Sequence, residues 1–458
     1  MSRKLSFSVD DDNNDIIKRY EQFLLGTATG YFDVEELESI IEFYLRHGRT
    51  KDSAKAIELG LKLHPKSNAL KTKRAKIYLA TGDDQKALRL LNSLSESSDY
   101  EVILLKIEVL VKMNRFSEAK ILYSQLISEE LDDLDNTCLD IAFIFIGQAE
   151  FEIALELLRI GIKANPTNID LLFELAFCFE QTDDFENAIA TYNKIIDIDA
   201  YTDEAWFNLG QIYFALQEFS KALDAYDFAL AINEKDSLTC LQKAHVHFQL
   251  DQFEESIESY LNYRSMTSNI WETDIFIAEC YEKMERYDEA ISYYQHSLEV
   301  TPNNYDALTG IAICLLEKEE YVESKKYIEI ALNINNQLAD AWVYLAEAHI
   351  GLDETDLALE AYLKSIAIDY NQPDTLMAIA NIYLESAEYD LAIQFYTEAK
   401  LMDETLEYVD LFIGVAYFKK DEVLKSIPHL QKALRESENA AELFLELCPE
   451  AVDSLFLQ

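Results

Sequence analysis

His245 and His247 are two residues apart, a spacing that would let two imidazoles share a metal only on an extended strand; on a helix they point in different directions. The six cysteines, Cys138, Cys178, Cys240, Cys280, Cys314 and Cys448, contain no C-x-x-C pair. Asp and Glu number 85, but none sits beside a candidate nucleophile in a pattern suited to acid–base work. No G-x-x-x-x-G-K-[ST], G-x-G-x-x-G, H-E-x-x-H or G-x-S-x-G occurs. The residue types therefore point away from an enzyme and from any cofactor or metal. The chemistry left to the chain is recognition, by aromatic side chains and by carboxylates.

What positions those groups is a repeat. A small residue recurs as Ser53, Ala87, Ala119, Ala154, Ala188, Ala222, Ser256, Ala290, Ser324, Ala358, Ala392 and Ser426, in steps of 34, 32 and 35 and then eight steps of 34. Such a period marks an array of short units, each too small to bury its own apolar face. In the unit from Asp203 to Asp236, Trp206, Leu209, Gly210 and Tyr213 form one helix face, and Ala222, Leu223, Tyr226, Ala229 and Leu230 form another. A turn from Gln217 to Phe219 joins them into a helical hairpin. The Gly210 position recurs as Ala in most units, and bulky positions recur beside it, Tyr226 as Tyr123, Tyr192, Tyr260, Tyr294, Tyr362 and Tyr396. Small next to large is what close helix packing requires. Pro65, Pro166 and Pro302 should stop second helices, and Asp183–Glu186 and Asp251–Glu254 have the D-x-x-E spacing of a helix start.

The hairpin pattern W-x-x-L-G-x-x-Y, then Ala, then Y-x-x-A, then Pro resembles the tetratricopeptide-repeat family. The residues carrying the resemblance are Trp206, Leu209, Gly210, Tyr213, Ala222, Tyr226 and Ala229, with Trp342, Leu345, Ala346, Ala358 and Tyr362. It extends over about residues 34 to 440. The units near Asn68 and Tyr100 depart from the pattern, with Lys71, Arg74 and Lys106 where apolar residues are expected. The resemblance implies an all-α fold, a right-handed superhelical α-solenoid of about twelve 34-residue helix-turn-helix repeats with capping helices. Residues 1–13 are expected to form a disordered head and 14–33 an N-terminal capping helix and turn. The repeats should fill 34–439, and a C-terminal capping helix and tail 440–458, with Leu455, Phe456 and Leu457 as an apolar end. With 11 Gly and 6 Pro there is little room for linkers, so one continuous rod is expected.

Composition narrows the function. The net charge of −46 repels phosphate backbones and anionic membranes, which excludes nucleic acid as the main partner. No 18-residue apolar run exists, and Met1–Asp12 has no apolar signal core, so a cytoplasmic protein with buried free thiols is expected. Between Lys51 and Leu90, ten Lys/Arg face four Asp/Glu, a local charge of +6. Lys71, Lys73, Arg74 and Lys76 are its candidate docking patch, unless they simply line a solvated face.

In the tetratricopeptide-repeat family the first helix of each unit lines the concave groove. Transferred by register, that face holds an aromatic stretch, Phe143, Phe173, Phe177, Phe207, Phe214 and Phe248, with Leu139 and Leu241 beside it. An acidic stretch follows: Glu272, Glu279, Glu282, Asp306, Asp340, Glu347 and Glu385, together with Glu317 and Asp374 and only Lys283 as a base. Both have plainer readings. Aromatics at these positions also pack between neighbouring units. Acids in a first helical turn, as at Glu272, Asp306 and Asp340, offset the helix dipole by about 0.3–1 kcal/mol each. That account does not reach Glu279, Glu282, Glu347 or Glu385. Some family members clamp a partner's C-terminal carboxylate with Lys and Asn; the matching lysines are absent here. The expected function is a non-enzymatic scaffold that binds a protein or peptide with apolar anchors and Lys/Arg. The alternatives are a self-associating structural protein, a homo-oligomer docked through its basic end, and a regulatory subunit of an enzyme on another chain.

Overall fold

The computed structural model describes residues 6–27, 30–94, 99–129, 132–267, 270–437, 439–449 and 451, without side chains for 6–14 and 270. Among the described residues there are only helices and turns, and the fold is an all-α repeat solenoid. The chain divides into two compact units, Met1–Leu216 and Gln217–Gln458. The division falls in a turn of the repeat whose sequence is most regular, a place that composition, suggesting one continuous rod, did not mark.

In the first unit α1 (Ser6–Leu24) precedes five hairpins and half of a sixth. The hairpins are α2 (Val34–Arg46) with α3 (Thr50–Leu63), α4 (Asn68–Ala80) with α5 (Asp84–Asn92), α6 (Tyr100–Lys112) with α7 (Phe116–Glu129), α8 (Leu134–Ile146) with α9 (Phe151–Ala164), and α10 (Ile169–Gln181) with α11 (Phe185–Ile198); α12 (Asp203–Ala215) ends the unit. α1 starts eight residues before the helix expected from Asn14. The second unit begins with α13 (Phe219–Ile232). It continues with α14 (Ser237–Gln249) and α15 (Phe253–Met266), α16 (Ile270–Lys283) and α17 (Tyr287–Val300), α18 (Tyr305–Glu317) and α19 (Tyr321–Ile334), and α20 (Ala339–Gly351) and α21 (Thr355–Ile368). Then come α22 (Pro373–Glu385) and α23 (Tyr389–Met402), α24 (Val409–Lys419) and α25 (Val423–Glu436), and α26 (Ala440–Leu447), whose Phe444 meets Phe418 edge-on at 5.5 Å. The apolar tail at 455–457 lies outside the described residues.

The ladder of small residues marks helix crossings: all twelve, from Ser53 to Ser426, have no exposed surface. Pro65, Pro166 and Pro302 each stand two residues past the end of α3, α9 and α17. Several first helices begin with a side-chain cap. Ser67 accepts from the Leu70 amide, Asn168 from Leu171 and Asn304 from Ala307.

The second helices start differently, and here the D-x-x-E reading is one residue out. Asp183 and Asp251 are not caps; they occupy the left-handed region at φ 57° and 56°. The cap of α11 is Asp184, which accepts from the Asn187 amide, and Gln252 before α15 makes no side-chain cap. The left-handed residue recurs in every hairpin turn: Gly48, Gly82, Asn114, Ala149, Asp183, Gln217, Asp251, Glu285, Glu319, Asp353, Ala387 and Asp421.

Successive first helices touch: α2 with α4, α4 with α6, α6 with α8 and α8 with α10 in the first unit, and α16 with α18 and α18 with α20 in the second. No two successive second helices make comparable contact among the described residues. The first helices are therefore the closely spaced side of each unit, and a segment lying across them meets several repeats at once.

Candidate functional site

On the first-helix side of the first unit, α4, α6 and α8 enclose an open cleft of about 580 Å³. Its apolar lining comes from Leu79, Leu104, Leu105, Phe143 and Ile144. Its charges are paired within the wall. Lys76 meets Glu101, Lys112 lies 3.1 Å from Glu108, and the Tyr100 hydroxyl donates to Asp140 at 2.8 Å. The cleft brings together two groups that the sequence kept apart, the basic Lys76 and the aromatic Phe143, which is 47% exposed.

The other basic residues are also engaged. Lys73 is 2.6 Å from Glu42, and its hydrogen bond holds the Glu42 carboxyl below the ordinary value. Arg74 donates to the Tyr78 hydroxyl at 2.9 Å, with its guanidinium 5.4 Å from that ring's centre. Lys71 is half-buried and has no ion pair among the described residues. Among the aromatics, Phe177 is 38% exposed and edge-on to Phe151 at 6.2 Å. Phe173 packs on Tyr192 at 6.1 Å, and Phe207 and Phe214 are half-buried on α12. Phe248 belongs to the second unit and packs on Phe253 at 5.6 Å.

The acidic residues lie on the first helices of the second unit. Glu272, Glu279 and Glu282 are half-buried on α16, while Asp306 on α18, Asp340 and Glu347 on α20, and Glu385 on α22 are exposed. Glu279, Glu282 and Asp306 converge electrostatically. Burial, reinforced by Glu282 and then Asp306, pushes the Glu279 carboxyl up to about 7. Burial also raises Glu282, partly offset by the Tyr294 hydroxyl, which donates to it at 3.0 Å. Glu347 is raised by burial of its carboxyl and then by Glu317, although the residue as a whole is exposed. Among the described residues none of Glu279, Glu282, Asp306, Asp340, Glu347 and Glu385 forms an ion pair with a base. Asp340 also lines a smaller cleft of about 330 Å³ with Val343, Tyr344, Gln372, Pro373 and Asp374. Glu272 and Glu385 lie on the same helical side, on α16 and α22.

Two features escape the sequence reading. The tyrosines assigned to packing also bond polar groups of the first helices: Tyr192 donates to Glu180 at 2.5 Å and Tyr396 to Asn381 at 2.5 Å, and Tyr260 pairs with His245 at 2.8 Å. Second, two fully packed carboxylates sit where other repeats carry Trp206 and Trp342. Asp274 meets Arg264 at 2.6 Å and His296, and Asp410 meets Lys400 at 2.8 Å, Lys432 at 2.8 Å and His429 at 2.7 Å. Burial alone would raise Asp410, but those three hydrogen bonds hold it at about 2. The 68-residue alternation Trp206, Asp274, Trp342, Asp410 was a signal available in the sequence.

The cysteines are all buried. Burial pushes Cys178 and Cys314 up to about 12 and Cys280 to about 11, so none is an activated nucleophile. His245 and His247 face different partners, Tyr260 and Gln252. No helix among the described residues is long and apolar enough to cross a membrane.

Residues 203–236, 281–342 and 375–407 match tetratricopeptide-repeat families, and residues 3–203 match the ChAPs, Chs5p-Arf1p-binding proteins. No curated protein matches the chain. Among solved structures it is similar to the APC/C hetero-tetramer Cut9-Hcn1, with 15% identity, 83% of this chain and 89% of that chain covered, and a TM-score of 0.41. It is similar to the C-terminal part of a TPR repeat-containing protein from Cytophaga hutchinsonii, with 15% identity, 52% and 97% covered, and a TM-score of 0.44. A third is YrrB, described as a TPR protein with an unusual peptide-binding site, with 18% identity, 41% and 96% covered, and a TM-score of 0.34.

Proposed function

The chain belongs to the tetratricopeptide-repeat family, and we propose that it acts by binding, holding a segment of another protein against its first helices. The observation that supports this most is the convergence of Glu279, Glu282 and Asp306, which form no ion pair among the described residues and have only Lys283 acting against their charge. Burying a carboxylate costs free energy unless a cation or hydrogen bonds compensate. Glu279 and Glu282 are both shifted towards the protonated form by burial, which a partner's Lys or Arg would reverse. The cleft of the first unit, with its paired charges, suits apolar anchors instead. The partner is therefore a segment carrying both apolar and basic side chains, and the six buried thiols fit a reducing compartment such as the cytoplasm.

The ChAPs match over residues 3–203 agrees with a protein partner at that coarse level. Self-association through the basic end is the weaker reading, because Lys73, Arg74 and Lys76 are engaged within the fold.

The test is kinetic, on a partner recovered by pull-down. Phe143→Ala with Phe177→Ala should speed release and leave association unchanged. Glu279→Lys with Glu347→Lys should slow association and flatten its salt dependence. Parent-like binding by both double variants would remove the site from the first helices.

A further inference from the structure

We propose that Tyr294 is a positioning residue for partner binding: its hydroxyl holds the Glu282 carboxylate in place as the acceptor for a partner's guanidinium or ammonium. The proposal rests on the binding function argued above and assigns a second job to a residue whose place in the repeat is a packing place.

Tyr294 lies on α17, and its side chain is 2% exposed. Its ring is seated against α18 at Gly310, where an added Cβ would fall 2.3 Å from the ring's Cζ. A side chain added at 310 and this ring position exclude each other. The hydroxyl donates to Oε2 of Glu282 at 3.0 Å. Burial, with Glu282 and Glu279 adding to it, keeps the phenol far above its ordinary value, so it donates across the whole physiological range. One oxygen of Glu282 is thereby fixed, and a carboxylate has four acceptor positions, so acceptor capacity is left for an incoming cation.

The same arrangement recurs. Tyr192 donates to Glu180 from the equivalent repeat positions, again 12 residues apart. Tyr260 and Tyr396 reach His245 and Asn381, each 15 residues away. A buried hydroxyl must find a partner somewhere, and in these four repeats it finds a polar group of the first helix. Holding a carboxylate with a neutral donor, rather than with a lysine, fixes its direction without cancelling its charge. That separates Glu282 from Glu101, whose charge Lys76 already meets.

The probe is a fluorescent synthetic peptide alternating leucine and arginine, compared with its citrulline counterpart, which keeps the shape and loses the charge. The parent should prefer the arginine peptide. Tyr294→Phe keeps the ring and its packing, so it should fold as the parent does, with only the small loss in melting temperature expected of one missing hydrogen bond. It should nevertheless bind the arginine peptide about tenfold more weakly, with citrulline binding unchanged. Glu282→Gln should give the same loss, and adding Tyr294→Phe to it should cost nothing more, because both act through one contact. If the parent does not distinguish the two peptides, the binding reading itself fails. If it does, and Tyr294→Phe binds as the parent does, or the two substitutions add, the positioning role is overturned and the binding reading stands. Gly310→Ala displaces the ring with Glu282 intact and should reproduce the loss.

Discussion

The first-helix sides of the two units handle charge in opposite ways. On α4, α6 and α8, Lys76, Lys112 and Lys73 meet Glu101, Glu108 and Glu42, and the cleft between these helices keeps its apolar lining open. On α16 and α18, Glu279, Glu282 and Asp306 gather with no ion pair among the described residues, opposed only by Lys283. A net charge of −46 is thus not an even coat. In one place it is locally cancelled, and in another it is concentrated where burial makes it costly. The first arrangement suits contact through apolar surface; the second suits a partner that brings its own cations.

The largest expected effects test whether the two units share one packing rule. Ala154→Leu and Ala290→Leu each force a side chain into a helix crossing with no exposed surface, and each should cost about 1–3 kcal/mol. Thermal melts followed by circular dichroism would measure it. A single transition lowered by both variants means the units melt together, and separate transitions mean that each carries its own stability. Parent-like melting of either variant would overturn the packing role of the ladder.

A smaller effect sharpens the electrostatic contrast through pH. Glu279 has a folded value of about 7 against an ordinary 4.5, so the unfolded chain loses this proton first on raising the pH. Stability from this group is undiminished below about pH 4.5, falls as pH rises towards 7, and is level above it. Glu279→Gln should therefore stabilise the chain at pH 8 and make no difference at pH 4. The groups facing Glu279 are Glu282, Asp306 and Lys283. Glu42 in the first unit has the opposite sign. Lys73 lowers it, so its contribution is present above the ordinary carboxylate value and is lost as pH falls through the lowered one. Denaturant titrations of Glu279→Gln across pH 4–8, and of Glu42→Gln below pH 4.5, should show slopes of opposite sign relative to the parent.

The smallest effect concerns the paired cleft. Lys76 and Glu101 are 39% and 49% exposed, and a pair so open to water is worth less than about 1 kcal/mol. A double-mutant cycle with Lys76→Met and Glu101→Gln should return a coupling in that range. A markedly larger value would make the pair a structural strut of the cleft.

How much of this could be read beforehand follows from what a periodic sequence records. A 34-residue ladder of Ala and Ser records helix crossings, because a crossing tolerates nothing larger; hence the hairpins, the proline stops and α26 were legible. The acidic positions were legible as a stretch of one sign, but not their burial, which separates half-buried Glu279 from exposed Glu385. The basic window was misleading in its simplest form, because composition counts Lys73 and Lys76 without showing that Glu42 and Glu101 lie opposite them on neighbouring helices. The tyrosine hydroxyls were hidden for a related reason. Repetition shows which rings pack, while the reach of a polar tip depends on what sits 12 or 15 residues earlier. The D-x-x-E spacing failed because the aspartate's task was a backbone conformation rather than a cap.

That conformation has a consequence for how the chain holds together. Twelve hairpin turns share one left-handed residue, but only Gly48 and Gly82 are glycine; the rest include Glu285, Gln217 and Ala387. A side chain in that region carries a penalty of roughly 1–2 kcal/mol. What opposes it is local: the amide just after the left-handed residue reaches back five residues to a carbonyl of the first helix, as Arg49 does to Tyr44, Asp184 to Phe179 and Glu388 to Tyr383. The bend is thus written into the hairpin's own backbone, and the side chain at the turn is free to drift as long as that helix end stays closed.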